Sequence, residues 1–198
     1  MRNPEYTKNI ILEKASILFN SKGYKATSIS DITTETKMTK GAIYKHFKNK
    51  EALEKEAFNH MLSMVSEQLR AKIKAQHSAP TKLRAMLTFF QSYVSMPIIK
   101  GGCPLLNTAI EFDDSKAEIK KLARKSLLEF KNTIVHILKN GKKYNQIDEN
   151  LDEEKFASYL FASIEGGIMV SKLSGKNDDI LAVIEYLHQS INHITKVV

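Results

Sequence analysis

The 198-residue chain predicts an all-α fold of about nine helices, and three observations carry that prediction. Apolar residues recur at i, i+3, i+4 and i+7 in one stretch after another, the period of a helix face. No run alternates apolar and polar residues as a half-buried strand would. Only four prolines and eight glycines interrupt the chain, which leaves long segments free to stay helical. There is no internal repeat and no low-complexity segment.

The first helix is expected over about residues 4–21, with Ile11, Leu12, Ala15, Leu18 and Phe19 on one face. Gly23 ends it, because glycine tolerates the left-handed backbone of a helix stop. A second helix follows over about 28–36, capped by Ser28 or Ser30, with Ile29 and Ile32 inward. A third spans about 39–47, capped by Thr39, and Met38, Ile43 and Phe47 turn its inner side toward the first two. The three make a small core. A fourth helix, about 50–76, carries Leu53, Ala57, Met61 and Val65 in one stripe. At 1.5 Å per residue it is roughly 40 Å long, a lever suited to rigid-body motion.

His77 to Pro80 are expected to break the chain. A fifth helix then covers about 81–96, striped by Leu83, Met86, Leu87, Phe90, Tyr93 and Val94 and stopped by Pro97. Lys100 to Pro104 read as a loop. A sixth helix covers about 104–112. A seventh covers about 115–140, with Gly141 as its stop; an eighth covers about 152–173 and a ninth about 178–196. Residues 1–50 are expected to form one domain and residues 51–198 a second.

Composition narrows the functional class. Hydrophobic residues are 42% and charged residues 26%, which suits a globular protein rather than a disordered one. The longest apolar run, Ile180 to Ile184, is too short to span a bilayer. Arg2, Glu5, Lys8 and Glu13 interrupt the N-terminal segment, which therefore lacks the apolar core of a secretory signal. A single cysteine, Cys103, has no internal disulfide partner, so a cytoplasmic location is expected. The six histidines include no His-Glu-x-x-His, and no phosphate-binding glycine loop or nucleophile elbow is present. No catalytic site, metal or cofactor is expected.

The formal net charge is +8 and the sequence pI about 9.4. Residues 1–60 hold eleven cations against seven anions, and the other 138 residues nineteen against fifteen. Both parts are +4, so the first is more than twice as positive per residue. Between Thr36 and Lys50 stand five lysines and one histidine with no acid. That segment covers the turn after the second helix and the third helix, and the two helices read as a helix-turn-helix. On the outer side of the third helix Lys40, Gly41, Ala42, Tyr44, Lys45 and His46 are basic, small or hydrogen-bonding. Small residues admit a helix to a major groove, and cationic and hydroxyl groups meet phosphates and base edges.

The same residues carry a family resemblance. Phe19, Gly23, Thr27, Asp31-Ile32, Gly41, Ile43-Tyr44, His46-Phe47 and Lys50-Glu51-Ala52-Leu53 resemble, without gaps, the DNA-binding domain of the tetracycline-repressor (TetR) family. Gly102-Cys103-Pro104-Leu105-Leu106-Asn107, followed by Glu111 and Asp113-Asp114, resembles the effector domain of one branch of that family. Two departures stand out: Lys37 occupies a turn where the family usually has glycine, and Thr33 a position usually alanine.

The resemblance implies a ligand-responsive regulator, acting as a repressor, whose homodimer binds a palindromic double-stranded operator and leaves it when a small-molecule effector binds. Carried over position by position, Lys40, Gly41 and Ala42 face base edges. Tyr44, His46 and Lys50, with Thr27 or Ser28, meet phosphates; Lys45 serves either way, and Thr39 joins the set as the cap of the same helix. Phe89, Phe90, Tyr93, Met96, Leu105, Leu106, Ile110, Phe130 and Ile134 are the candidate lining of an effector cavity, with Cys103 beside it and Tyr93, Asn107 and Glu111 as polar anchors. For most of these residues, a stripe at helical spacing is better explained as ordinary core packing. Leu160, Ser163, Gly167 and Val170, with Ile184, Leu187 and Ile191, repeat at bundle-seam spacing and are the candidate dimer interface. The alternatives are a nonspecific architectural DNA-binding protein, and an all-α small-molecule binding protein or enzyme with an incidental basic head.

Overall fold

The computed structural model describes residues 3–111 and 117–196. Among them are nine helices and no strand. These are α1 (Pro4–Lys22), α2 (Ile29–Thr36), α3 (Lys40–Tyr44), α4 (Lys50–Lys74), α5 (Ala79–Gln91), α6 (Pro104–Glu111), α7 (Ala117–Lys143), α8 (Glu153–Ser174) and α9 (Asp178–Ile194). None of the helices is long and apolar enough to cross a membrane. The chain divides into two compact units: residues 1–65 with 98–123, and residues 66–97 with 124–198. The first unit thus reaches past residue 50, taking in the first part of α4 and all of α6.

In the first unit, local chemistry sets the helix ends. Asn3 caps α1, its side-chain oxygen accepting from the Glu5 N–H, and Pro4 sits where a missing N–H costs nothing. Gly23, at φ 93°, stops the helix. Ser28 caps α2 in a reciprocal box: its hydroxyl accepts from the Asp31 N–H, and the Asp31 carboxylate accepts from the Ser28 N–H at 2.7 Å. Lys37 ends α2 in the left-handed region at φ 54°, and its N–H donates to the Thr33 carbonyl. Ile11, Ala15, Phe19, Ile32, Ile43 and Phe47 then close one buried core, with Leu53, Ala57 and Met61 from α4. Tyr24 stacks on Phe19 with ring centroids 5.0 Å apart. Each large side chain so buried contributes roughly 1.5–3 kcal/mol.

In the second unit, α9 packs against both α8 and α5. Ile180, Ile184, Leu187, Ile191 and Ile194 point inward and are buried, as is Leu160. A Cβ on Gly167 would stand 2.8 Å from the Ile180 side chain, so this glycine lets α9 lie close against α8. The buried Ser171 hydroxyl accepts from the Ile180 N–H at 2.8 Å and so caps α9, a task the side chain of Asn177 leaves undone.

Several boundaries differ from the sequence expectations. Pro80 does not break the chain; it lies in the first turn of α5, which Ser78 caps. That helix ends at Gln91, short of Met96. Residues 45–47 fall outside α3, whose last regular residue is Tyr44. Gly141 does not stop α7, which continues to Lys143. A Cβ there would meet Ile147 at 2.5 Å and Ala79 at 2.6 Å, so close approach is the reason for glycine. The expected starts and ends of helices at Phe112 and Ser115, and the Asp113-Asp114 pair, lie outside the described residues.

Candidate nucleic-acid interface

The third helix is short and rests on its buried side chain, Ile43, and on Phe47 just beyond it. The Thr39 hydroxyl accepts from the Ala42 N–H at 3.2 Å and fixes the first turn. Lys40, Gly41, Tyr44 and Lys45 are exposed, and Tyr44 shows 47% of its surface despite its ring. Ala42 and His46 are half-buried. Around Gly41 the nearest atom a Cβ would meet is the Thr39 hydroxyl, 3.9 Å away. Among the described residues nothing demands glycine there. Lys37 and Lys48 extend the exposed cationic border on either side.

Two residues expected at phosphates are occupied inside the unit. Thr27 is fully buried, and its hydroxyl donates to the Gly23 carbonyl at 2.7 Å. Its side chain tethers the α1–α2 connection instead of meeting a phosphate. The Lys50 ammonium donates to the Tyr24 carbonyl at 2.7 Å and pairs with the fully buried Glu54 carboxylate at 3.5 Å. Lys50 is therefore a structural cation. Ser28 stays at the surface as a cap, and its hydroxyl, more than its N–H or Lys22, holds the Asp31 carboxyl below its ordinary value.

The residues expected to line one effector cavity belong partly to the first unit and partly to the second. Phe89, Phe90, Tyr93 and Ile134 are buried in the second unit, where Phe130 lies between Phe90 and Phe161 at 5.8 and 5.1 Å. Met96 is 73% exposed, beyond the end of α5. In the first unit Leu106 and Cys103 are half-buried and Ile110 is 67% exposed. The Asn107 amide nitrogen is engaged within the first unit: it donates to the Asn20 backbone and side-chain oxygens and to the Gly101 carbonyl. The Glu111 carboxylate accepts from the backbone N–H groups of Tyr24 and Lys25. Sequence reasoning missed Asn20 and Tyr24 as their partners. The Tyr24 hydroxyl is 3.1 Å from that of Thr108, and burial pushes its phenol well above the usual tyrosine value.

The seam expected at a dimer interface is also interior. Leu160, Gly167, Ile184, Leu187 and Ile191 are buried within the chain because α8, α9 and α5 use them on one another. Ser163 is half-buried and Val170 exposed. Tyr159, Met169, Val170 and Leu173 on α8, and Leu181 and Tyr186 on α9, are large apolar residues left at the surface, Leu173 at 81%. Among the described residues, nothing stands within 4 Å of where a Cβ on Gly166 would be.

Comparison with known proteins agrees with the geometry of the first unit. The profile of bacterial regulatory proteins of the tetR family matches residues 11–57, and that of the tetracyclin repressor-like C-terminal domain matches residues 79–187. The chain belongs to the TetR family. Its fold matches a TetR transcriptional regulator from Chloroflexus aurantiacus with a TM-score of 0.95, at 30% identity over 100% of both chains. It is 26% identical to the transcriptional regulator TtgR of Pseudomonas putida over 90% of this chain and 86% of that one. It is 23% identical to the transcriptional repressor DhaR of a Mycobacterium species over 82% of this chain and 81% of that one. The family is one of DNA-binding transcriptional regulators, not of enzymes.

Proposed function

We propose that this TetR-family chain is a cytoplasmic, ligand-responsive repressor that binds a palindromic operator as a homodimer. Residues 1–50 act as the DNA-binding head and residues 51–198 as the effector-binding and dimerisation part. The observation that carries the reading is the outer side of α3: Lys40, Gly41, Tyr44 and Lys45 are exposed together, no acid stands among them, and Gly41 is free of any internal need. Lys40, Gly41 and Ala42 meet base edges, while Tyr44, Lys45 and His46 meet phosphates, which position the head. DhaR, by name a repressor, supports that sense of regulation.

The second copy covers the outward apolar residues of α8 and α9, Val170, Leu173 and Tyr186 foremost, with Ser163 and the open backbone at Gly166 beside them. Two-fold symmetry then requires a near-palindrome read by two heads in successive major grooves. The small-molecule effector is held beside the aromatic group of Phe90, Phe130 and Phe161.

Selection from a random duplex library, followed by affinity measurement at matched salt, tests this. The expected product is a near-palindrome bound at least about 10³-fold more tightly than random duplex. Equal affinity for all duplexes points to an architectural protein instead. A one-chain mass at micromolar concentration contradicts the dimer.

A further inference from the structure

The α1–α2 connection is gripped from outside the three-helix core. Its residues Gly23 to Lys25 carry two N–H groups that α2 does not use, those of Tyr24 and Lys25. Both donate to one carboxylate, Glu111 at the end of α6, more than eighty residues away in sequence. One turn earlier on α6, Thr108 meets the Tyr24 hydroxyl and Asn107 binds the last turn of α1 at Asn20. Asn20 in turn donates to the carbonyls of Lys100 and Gly102. Gly101, at φ 115°, passes so close to α1 that a Cβ would stand 2.3 Å from the Asn20 carbonyl oxygen. On the other side of the connection, the Tyr24 carbonyl accepts from Lys50.

We infer that Glu111 is a positioning residue for DNA recognition: its carboxylate fixes the Tyr24–Lys25 turn and thereby the angle at which α2 and α3 leave α1. This rests on the DNA-binding reading above. The bonds of its carboxylate go to the Tyr24 and Lys25 N–H groups of the turn, and its effect on DNA passes through that turn. Charge matters as well as shape. A carboxylate offers acceptors to both N–H groups at once, and charge-assisted bonds of this kind are about twice as strong as neutral ones. In Glu111→Gln the amide keeps the size but turns a donor toward one of the two N–H groups.

Operator and random-duplex affinities of the full-length protein, with thermal midpoints, test the inference in Glu111→Gln, Glu111→Asp and Thr108→Val. Glu111→Gln should weaken operator binding at least about tenfold and leave random-duplex binding within about twofold, since the exposed cations are untouched. Glu111→Asp keeps the charge on a shorter stem and should fall between Glu111→Gln and wild type; it carries the test if Glu111→Gln does not fold. Thr108→Val loosens the same α6 contact without touching the turn's N–H groups. It should lower the midpoint while leaving operator affinity within about twofold. Operator affinity within twofold of wild type in both Glu111 variants, with a lowered midpoint, overturns the inference and leaves Glu111 a stabilising contact only. A wild-type protein with no operator preference overturns the DNA reading, and this inference with it.

Discussion

The two compact units are held by different kinds of contact. Among the described residues the first unit buries Ser16, Asn20, Thr27, Thr36, Glu54 and Thr108, whereas the second buries one such polar residue, Ser171. The second unit instead joins α5, α8 and α9 through isoleucine and leucine stripes and close glycine approaches. The difference teaches what each kind of contact specifies. A buried polar group requires one partner at one geometry, so it fixes turns and helix angles. An apolar stripe requires only that something cover it, so it fixes burial but not the neighbour.

The largest break in the comparison comes from Lys50. Lys50→Met leaves the buried Glu54 carboxylate and the Tyr24 carbonyl without this cation, and should cost about 3–5 kcal/mol in urea unfolding. Leu187→Ala attacks the second unit at a fully packed position of α9. It should cost about 3 kcal/mol, a little less, because a cavity among stripes partly collapses. If Leu187→Ala proves clearly the more damaging, the contrast between the units is drawn the wrong way round.

Ser28→Ala is smaller and pH-dependent. It removes the α2 cap and should cost about 1 kcal/mol at pH 7. The Ser28 hydroxyl is also the leading reason that the Asp31 carboxyl sits below its ordinary value of 3.8. A carboxyl depressed in the folded state stabilises the fold fully above that ordinary value and loses this as pH falls through the lower folded value. Part of the wild-type stability therefore disappears below about pH 4, and the Ser28→Ala variant should lose less over the same range, as urea midpoints at both pH values would register. The smallest effect has the opposite sign. Lys37→Gly relieves a lysine held at φ 54° and should stabilise the fold by about 0.5–1 kcal/mol, read from the thermal midpoint, while removing a cation beside α3.

The head was legible because its chemistry is local. Ser28 and Asp31 are three residues apart, Thr39 caps the helix that begins at its own neighbour, and Ile32, Ile43 and Phe47 declare their inward side by spacing alone. The left-handed turn at Lys37 could be expected because glycine is usual there. What escaped was non-local. Asn107 and Glu111 look like pocket anchors in the sequence, since nothing in their surroundings announces that Asn20 and Tyr24 lie opposite. Lys50 reads as one more basic-patch lysine until the buried Glu54, one helical turn on, is seen. On α8 and α9 the regular seam of Ile184, Leu187 and Ile191 suggested a partner chain. The stripe is the same whether its cover comes from another molecule or from α5 and α8 of the same one. Exposed Leu173 and Tyr186, off that seam, drew no attention because their spacing is unremarkable.

The central claim is that the exposed face of α3 meets DNA, and the salt dependence of operator binding by Lys45→Ala, at a residue placed on the phosphates, measures it most directly. In a homodimer the substitution removes two cations from the interface. The slope of log affinity against log salt should become shallower by about 0.9 per lost phosphate contact, roughly two in all, with weaker binding at every salt concentration. A slope and affinity indistinguishable from wild type would contradict the account.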